Sequence, residues 1–222
     1  MVGQVVKALS IEMGILQVEN DCLSALLGVT QNKAGILLIA GTGSIVFAHD
    51  GNNSTVRSGG WGHRVGDEGG GYWIGKQAIC SVLKMHDGRG EETLLSKLIL
   101  EKFEFNKIED LYNWIYSDSY SIDHVGALAA VVDEGFRLGD AVSKRILDSA
   151  VDELHLLIEA AIKKIDIVQE EFELIFQGGV FHHNHYIKNQ VSQRIQRSNT
   201  KVKIRTTSNE PIGDIIKRGL LL

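Results

Sequence analysis

The 222-residue sequence predicts an α/β fold, and three observations carry that class. Short apolar runs that stop at glycine turns, Ile36 to Ala40 and Phe172 to Phe176, have the length and flanks of buried strands rather than helices. From Asp140 onward, Val142, Ile146, Ala150, Leu154, Ile158, Ala161 and Ile165 trace one apolar stripe, the mark of a long amphipathic helix with Asp140 as its N-cap. Lys201 to Arg205 alternates charged and apolar residues, which predicts a half-exposed strand.

Each element follows in chain order. After the run Ile36 to Ala40 comes Gly41-Thr42-Gly43-Ser44, and Ile45 and Phe47 then continue as a second strand, so the tetrapeptide is the tip of a β-hairpin. Two positions without Cβ let backbone N–H groups approach an anion, and Thr42 and Ser44 add hydroxyl donors, an arrangement suited to a polyphosphate. Small polar residues also serve any tight turn, so the tetrapeptide alone leaves both readings open.

The stretch from Ser58 to Gly75 holds eight glycines in 18 residues together with Trp61, Trp73, Tyr72 and the Asp67-Glu68 pair. A flexible linker does not carry such aromatic and acidic residues, whereas a loop that presents amides, a carboxylate and an aromatic face to a polar small molecule does. Apolar spacing predicts helices over Gly71 to Met85, around Leu94 to Phe103, a short one at Leu111 to Ile115, and one through Val125 to Phe136 ending near Gly139. These read as scaffold, with Trp114 in the core. The turn Gln177-Gly178-Gly179-Val180 leads from strand to helix.

Composition bounds the function classes. At 44% hydrophobic and 23% charged residues the chain can fill a core, and its net charge of −5 argues against a nucleic-acid partner. No apolar run is long enough to predict a membrane span. Two distant cysteines, Cys22 and Cys80, suit a reducing, cytoplasmic compartment and read as buried free thiols. His182, His183 and His185 match no established zinc spacing and read as a solvated helix start, and the charged pairs Lys163-Lys164 and Glu170-Glu171 read as solvated faces.

The run from Ile36 to Ala78, with its Gly-Thr-Gly-Ser, Gly59-Gly60-Trp61-Gly62 and Gly66-Asp67-Glu68-Gly69 motifs and Tyr72-Trp73-Ile74, resembles the N-acetylglucosamine kinase group of the BadF/BadG/BcrA/BcrD ATPase family. Val18-Glu19-Asn20-Asp21 upstream, and Glu134 to Ser143 and Phe176 to Val180 downstream, extend the likeness over nearly the whole chain. The resemblance implies a ribonuclease-H-like, actin-like sugar-kinase ATPase fold, ATP with Mg²⁺ as cofactors, and an amino sugar as substrate. It implies Asp21 as catalytic base, Gly41, Thr42, Gly43 and Ser44 around the phosphates, and Gly178 and Gly179 under the adenosine. Asn20, Asp21, Thr42, Gly60, Trp61, Gly62 and Asp67 would bind the sugar, and a homodimer is the form family members often take. By spacing alone Asp21 is an ordinary loop or cap residue, and Gly178-Gly179 leaves a nucleotide turn and a packing turn equally open.

The family's first phosphate hairpin, an Asp-Gly-Gly-Gly-Thr type sequence, does not occur here. The expectation is therefore residues 1–33 as the remnant of an N-terminal ATPase domain and residues 34–222 as the C-terminal domain, with the last helix packing back on the N-terminal part. Residues 1–16 lack the features of a signal peptide and read as helix or strand of that remnant. The family's other branch activates 2-hydroxyacyl-CoA dehydratases and needs thiolate ligands for an iron–sulfur cluster; Cys22 and Cys80 do not stand in such contexts, which favours the kinase branch. A sugar-binding remnant without activity, or an ATPase that acts on no sugar, are the alternatives from the same residues.

Overall fold

The structure is a computed structural model that describes residues 19–52, 54–165, 171–207 and 211–219. The expectations for residues 1–16, and the contributions of Val18 and Glu170, lie outside the described residues.

Five strands form one sheet: β1 (Gly35–Ala40), β2 (Ser44–His49), β3 (Thr55–Gly59), β4 (Phe172–Gln177) and β5 (Val202–Thr206). Their order is β3-β2-β1-β4-β5. The first three strands are an antiparallel meander with Ala40 paired to Ser44 and Ile45 to Gly59, while β4 and β5 add in parallel beside β1. The parallel half requires crossovers, and helices supply them. The hairpin, the strand at Phe172 and the strand at Val202 all fall where the sequence predicts them.

Alternation along each strand sorts side chains onto two faces. Ile36, Leu38, Val46, Ala48, Leu174 and Phe176 point into the large core beneath α2 (Gly71–His86), α3 (Leu95–Phe103), α4 (Ile108–Ile115), α5 (Ile122–Arg137) and α6 (Ala141–Ile165). The same layer includes α7 (Gly179–His183) and α8 (His185–Ser198). Leu37, Phe47 and Ile175 point the other way, against Ala25 and Leu26 of α1 (Asp21–Thr30) and Ile215 of α9 (Pro211–Gly219). Trp114 is buried in the large core, stacked among Phe103, Phe105 and Tyr120.

The two-helix layer is closed by glycine and by charge. A Cβ on Gly28 would overlap the Asp214 carbonyl, so α1 and α9 touch backbone to backbone. Arg218 of α9 donates to Glu19 at 2.9 Å, with both side chains largely buried, and Ser24 Oγ donates to the same carboxylate at 2.8 Å. The Arg218 hydrogen bond, aided by Ser24, holds the Glu19 carboxyl below its ordinary value against the opposing effect of burial. On the other layer, Asp140 caps α6 by accepting from Ser143 N–H and also accepts from Thr93 Oγ1 and Leu94 N–H. Burial pushes the Asp140 carboxyl up, but the bonds from Ser143, Leu94 and Thr93 outweigh it and hold it low.

The cysteines correct the sequence expectation: both are free, yet partly rather than fully buried. Burial, with the neighbouring Asp21 charge and hydrogen bond, pushes the Cys22 thiol up to about 11, while Arg57 pulls weakly the other way. Lys163, Lys164 and Glu171 are exposed, as predicted, and no helix among the described residues is long and apolar enough to cross a membrane.

Two measurements check this packing. Gly75→Ala places a Cβ inside the Val125 carbonyl where α2 lies on α5, and should cost about 2 kcal/mol in urea unfolding despite the better helix propensity of alanine. Glu19 and Asp140 both have depressed folded-state values, so their contribution is present above the unfolded carboxyl range near about 4 and fades as pH falls through the lower folded values. Glu19→Gln combined with Asp140→Asn should flatten the loss of melting temperature between neutral and acid pH; an unchanged acid slope would refute the assignment.

Candidate active site

One end of the sheet collects the residues of interest, and the chain direction dictates this. β1 runs from Gly35 to Ala40 and ends at the hairpin tip; β4, parallel to it, ends at the same side in Gly178. β3 ends beside the start of β2, because Gly59 pairs with Ile45. α1 ends at Thr30, whose methyl lies against Gly35, and it packs along the sheet against β1. Its first residue, Asp21, therefore lies towards the end where β1 stops.

The hairpin tip is held from behind. Gly71 N–H donates to the Gly41 carbonyl at 2.8 Å and Tyr72 N–H to the Thr42 carbonyl at 2.9 Å, so the first turn of α2 grips the tip by its backbone. A Cβ on Gly70 would sit 2.7 Å from Gly43 C, and a Cβ on Gly43 would overlap the Asp67 carboxylate. Gly41 differs: a Cβ there would meet nothing within 4 Å, so the space beside its Cα is open, although its N–H donates to the Gly43 carbonyl at 2.9 Å. Ser44 is a correction to the sequence expectation. Its hydroxyl is buried and donates to the Glu68 carbonyl at 2.7 Å, so it ties the hairpin to the glycine-rich loop instead of facing a phosphate.

Gly178 and Gly179 also part company. Gly178 has φ +104° and a Cβ there would overlap the Ala40 carbonyl, so this glycine is demanded by packing against β1. Gly179 borders a cleft of about 670 Å³ whose floor is Gly41, Thr42, Gly71 and Gly126. One wall is Gly179, Val180, His183 and Asn184; the other is the α5 face with Asp123, Ala127, Ala130, Asp133 and Arg137. That volume lies within the range of cofactor sites. Asn184 caps α8 through Ile187 N–H and donates Nδ2 to Asp133 at 2.9 Å, while Arg137 Nε meets Asp133 at 3.1 Å. Thr42 Oγ1 lies 3.5 Å from Asp123 Oδ1.

The glycine-rich loop forms a second group. Gly62 N–H donates to Asp67 Oδ1 at 3.1 Å, and Asp67 itself adopts φ +62°. Trp61 is 71% exposed, with the Arg57 guanidinium 4.5 Å above its ring centroid. Arg57 also donates to the Gly59 and Gly60 carbonyls, which fixes it. A Cβ on Gly60 would overlap Ile45, so this glycine too is a packing requirement.

Asn20 caps α1, accepting from Cys22 N–H at 3.0 Å, and Asp21 is exposed in the first helical turn with Oδ1 on the same N–H at 2.8 Å. Neither is among the residues that line the cleft. The structure thus brings Gly41, Thr42 and Gly179 to one cleft, binds Asp67 against Gly43 beside it, and leaves Asn20, Asp21 and Trp61 on the adjoining surface. His182, His183 and His185 are all exposed. Sequence reasoning did not single out Arg57, Asp123, Asp133, Arg137 or Asn184. Only Asn184, one residue before a helix start, carried a local signal, and that signal was for capping.

The family model for BadF/BadG/BcrA/BcrD ATPases matches residues 3–216 of this chain. An N-acetylmuramic acid/N-acetylglucosamine kinase of Clostridium acetobutylicum is 38% identical over 198 residues, 89% of this chain and 65% of the relative. An N-acetyl-D-glucosamine kinase of Dictyostelium discoideum is 35% identical over 197 residues, 87% of this chain and 62% of the relative. The chain therefore spans under two thirds of the length of these curated relatives. Among solved structures, a Chromobacterium violaceum protein assigned provisionally as an N-acetylglucosamine kinase superposes with TM-score 0.74 at 21% identity, covering 96% of this chain and 70% of its own. A ROK-family glucokinase from Streptomyces griseus, solved with glucose and AMPPNP, gives TM-score 0.54 at 13% identity, covering 99% of this chain and 70% of its own. These superpositions show that the chain shares its mixed α/β fold with both solved proteins.

Two glycines of the site should respond in opposite ways. Gly178→Ala must relieve both its positive φ and the overlap with Ala40, and should lower stability by about 2 to 3 kcal/mol in chemical unfolding. Gly41→Ala meets open space and should remain within about 0.5 kcal/mol of the parent chain. Equal losses would contradict the division between packing glycine and open glycine.

Proposed function

We propose that this chain, which belongs to the BadF/BadG/BcrA/BcrD ATPase family, serves the ATP-dependent phosphorylation of an amino sugar, with N-acetylglucosamine the first candidate. The observation that carries the reading is the convergence of the Gly41-Thr42 hairpin and the Gly179 turn on one cleft of nucleotide size. The names of the curated relatives, at 38% and 35% identity, support the amino sugar as acceptor.

In this reading the Gly41-Thr42 turn, with open space beside the Gly41 Cα, faces the polyphosphate, and Gly179 with Val180 bounds the adenosine. The small floor residues Gly71 and Gly126 leave room for a flat ring or a ribose. Mg²⁺ enters with the nucleotide and neutralises charge on the transferring phosphoryl group. Asp67, held by Gly62 N–H and pressed on Gly43, joins the phosphate hairpin to the Trp61 loop, so the sugar loop and the phosphate site move as one piece. Gly60, Trp61 and Gly62, with Asn20, offer an aromatic face and amides to a pyranose. Asp21 is the general base. Its carboxylate is exposed and needs only to turn from Cys22 N–H to take the proton of the attacking hydroxyl as that oxygen bonds to the γ-phosphorus and the bond to the ADP leaving group breaks. Ser44 is left out of the phosphate set, because its hydroxyl is committed to Glu68.

Coupled measurement of ADP release on the full chain, with N-acetylglucosamine as acceptor, tests the proposal. Sugar-dependent release is the expected result. Asp21→Asn should lower kcat by a factor of about 10² or more while sugar binding, followed by Trp61 fluorescence, changes little. Release that ignores sugar would point to an ATPase acting on no sugar, and an unchanged kcat in Asp21→Asn would remove Asp21 from the role of base.

A further inference from the structure

Trp61 is 71% exposed, and yet the fold fixes it at its root and at its ring. At the root, Gly66 lies so close that a Cβ there would sit 2.9 Å from Trp61 Cβ. At the ring, the Arg57 guanidinium stands 4.5 Å from the centroid. An unrestrained indole gains by burying its large apolar surface, so contacts that order it in solvent serve no core. They do serve a ligand, because an aromatic face that is already ordered loses little freedom when something rests on it.

The sheet dictates how Arg57 reaches that ring. β3 is an edge strand, and Val56 packs with the large core, so by alternation Arg57 leaves the sheet on the face of α1. Its cross-strand partner Phe47 belongs to that face, and the effect of the Arg57 charge on the Cys22 thiol agrees with the placement. After Arg57 the chain turns through Gly59 and Gly60, both at φ +70°. A Cβ on Gly59 would run into Leu157 and one on Gly60 into Ile45, so only glycine can make this left-handed turn. Arg57 Nε donates to the Gly59 carbonyl at 3.0 Å and Nη2 to the Gly60 carbonyl at 2.5 Å. One guanidinium fork thus locks the turn that leads directly into Trp61, and the same group covers one face of the indole. With that face covered and the residue still largely exposed, the opposite face is the open one.

We infer that Arg57 is a positioning residue for the sugar: it holds Trp61 as a fixed platform whose uncovered face takes the apolar C–H face of the pyranose. The inference rests on the sugar reading of the Trp61 loop above and names the side chain that keeps that loop in a binding-ready shape. Arg57 acts through the ring and the turn, with no bond of its own to the sugar. A plain positive charge is not sufficient, since an ammonium group has neither the fork for two carbonyls nor the flat group for the indole.

Calorimetric titration of N-acetylglucosamine into the full chain, with ADP release measured beside it, provides the test. Arg57→Leu should weaken sugar binding and raise the sugar KM by about fivefold or more, the size of a lost cation–π contact at an exposed site together with lost order in the turn. The ATP affinity and kcat at saturating sugar should stay within about twofold of the parent, a split that loss of the fold would not produce. Arg57→Lys should behave like Arg57→Leu. Trp61→Leu removes the platform and should itself weaken sugar binding; in that background Arg57→Leu should add less than about twofold, because the residue acts through the ring. Parental sugar affinity in Arg57→Leu, full rescue by lysine, or an Arg57→Leu loss undiminished in the Trp61→Leu background would each overturn the proposal while leaving the sugar reading intact. A parent chain that binds no sugar overturns the sugar reading and this inference with it.

Discussion

Backbone contact at the end of β1 is the constraint on which the rest of the site depends. Within the four residues from Ala40 to Gly43, one carbonyl lies against Gly178, two accept N–H groups from the start of α2, and Gly70 rests on Gly43. The approaches at Gly178 and Gly70 leave no room for a Cβ. The glycines are therefore a geometric requirement: they let the β4 turn, the glycine-rich loop and α2 meet one strand end at backbone distance. Buried backbone donors and acceptors must find partners, and here each bond made for that reason also fixes a wall of the cleft. The placement of the cleft walls comes from the same bonds that satisfy the fold.

The opposite face of the sheet shows how a residue far from that strand end reaches the same surface. α1 packs on Leu37, Phe47 and Ile175 and turns at Thr30 into β1, so the helix and the strand run in opposite senses. Asp21 is carried back towards the hairpin by that reversal. α9 locks the helix in place through the Gly28 contact and the Glu19–Arg218 pair, which joins residues 199 apart in sequence. The pull of Arg57 on the Cys22 thiol shows the start of α1 and the Trp61 loop to be electrostatic neighbours. Positioning at this end of the molecule is thus shared by both helical layers.

Much of the fold was legible because its signals are local. A five-residue apolar run stopped by glycine reads as a strand whatever lies around it, and the stripe from Val142 to Ile165 reads as a helix for the same reason. The site was legible only as far as its glycines. Gly178 and Gly179 look alike in sequence, yet a positive φ and the Ala40 carbonyl give one to packing while the other borders the cleft. Ser44 looked like a donor for phosphate, and only the folded loop shows Glu68 in its path. Asp123 was invisible, because nothing in its neighbourhood reveals a threonine 81 residues away. Side chains whose meaning depends on a distant partner leave no periodic trace.

The charge pattern of the cleft completes the physical account. A chain of net charge −5 is an unpromising host for a polyanion if attraction must come from its overall field. The cleft does not reverse that balance with lysines, since its lining includes Asp123, Asp133, His183 and the paired Arg137. What it offers is open space beside the Gly41 Cα, a floor of small residues and walls joined by hydrogen bonds. Dipoles of fixed backbone groups act at contact distance, where salt screens them little, but they fall off too steeply to gather ligand from solution. Held in that way, a ligand is selected by contact and shape rather than by the field of the whole chain.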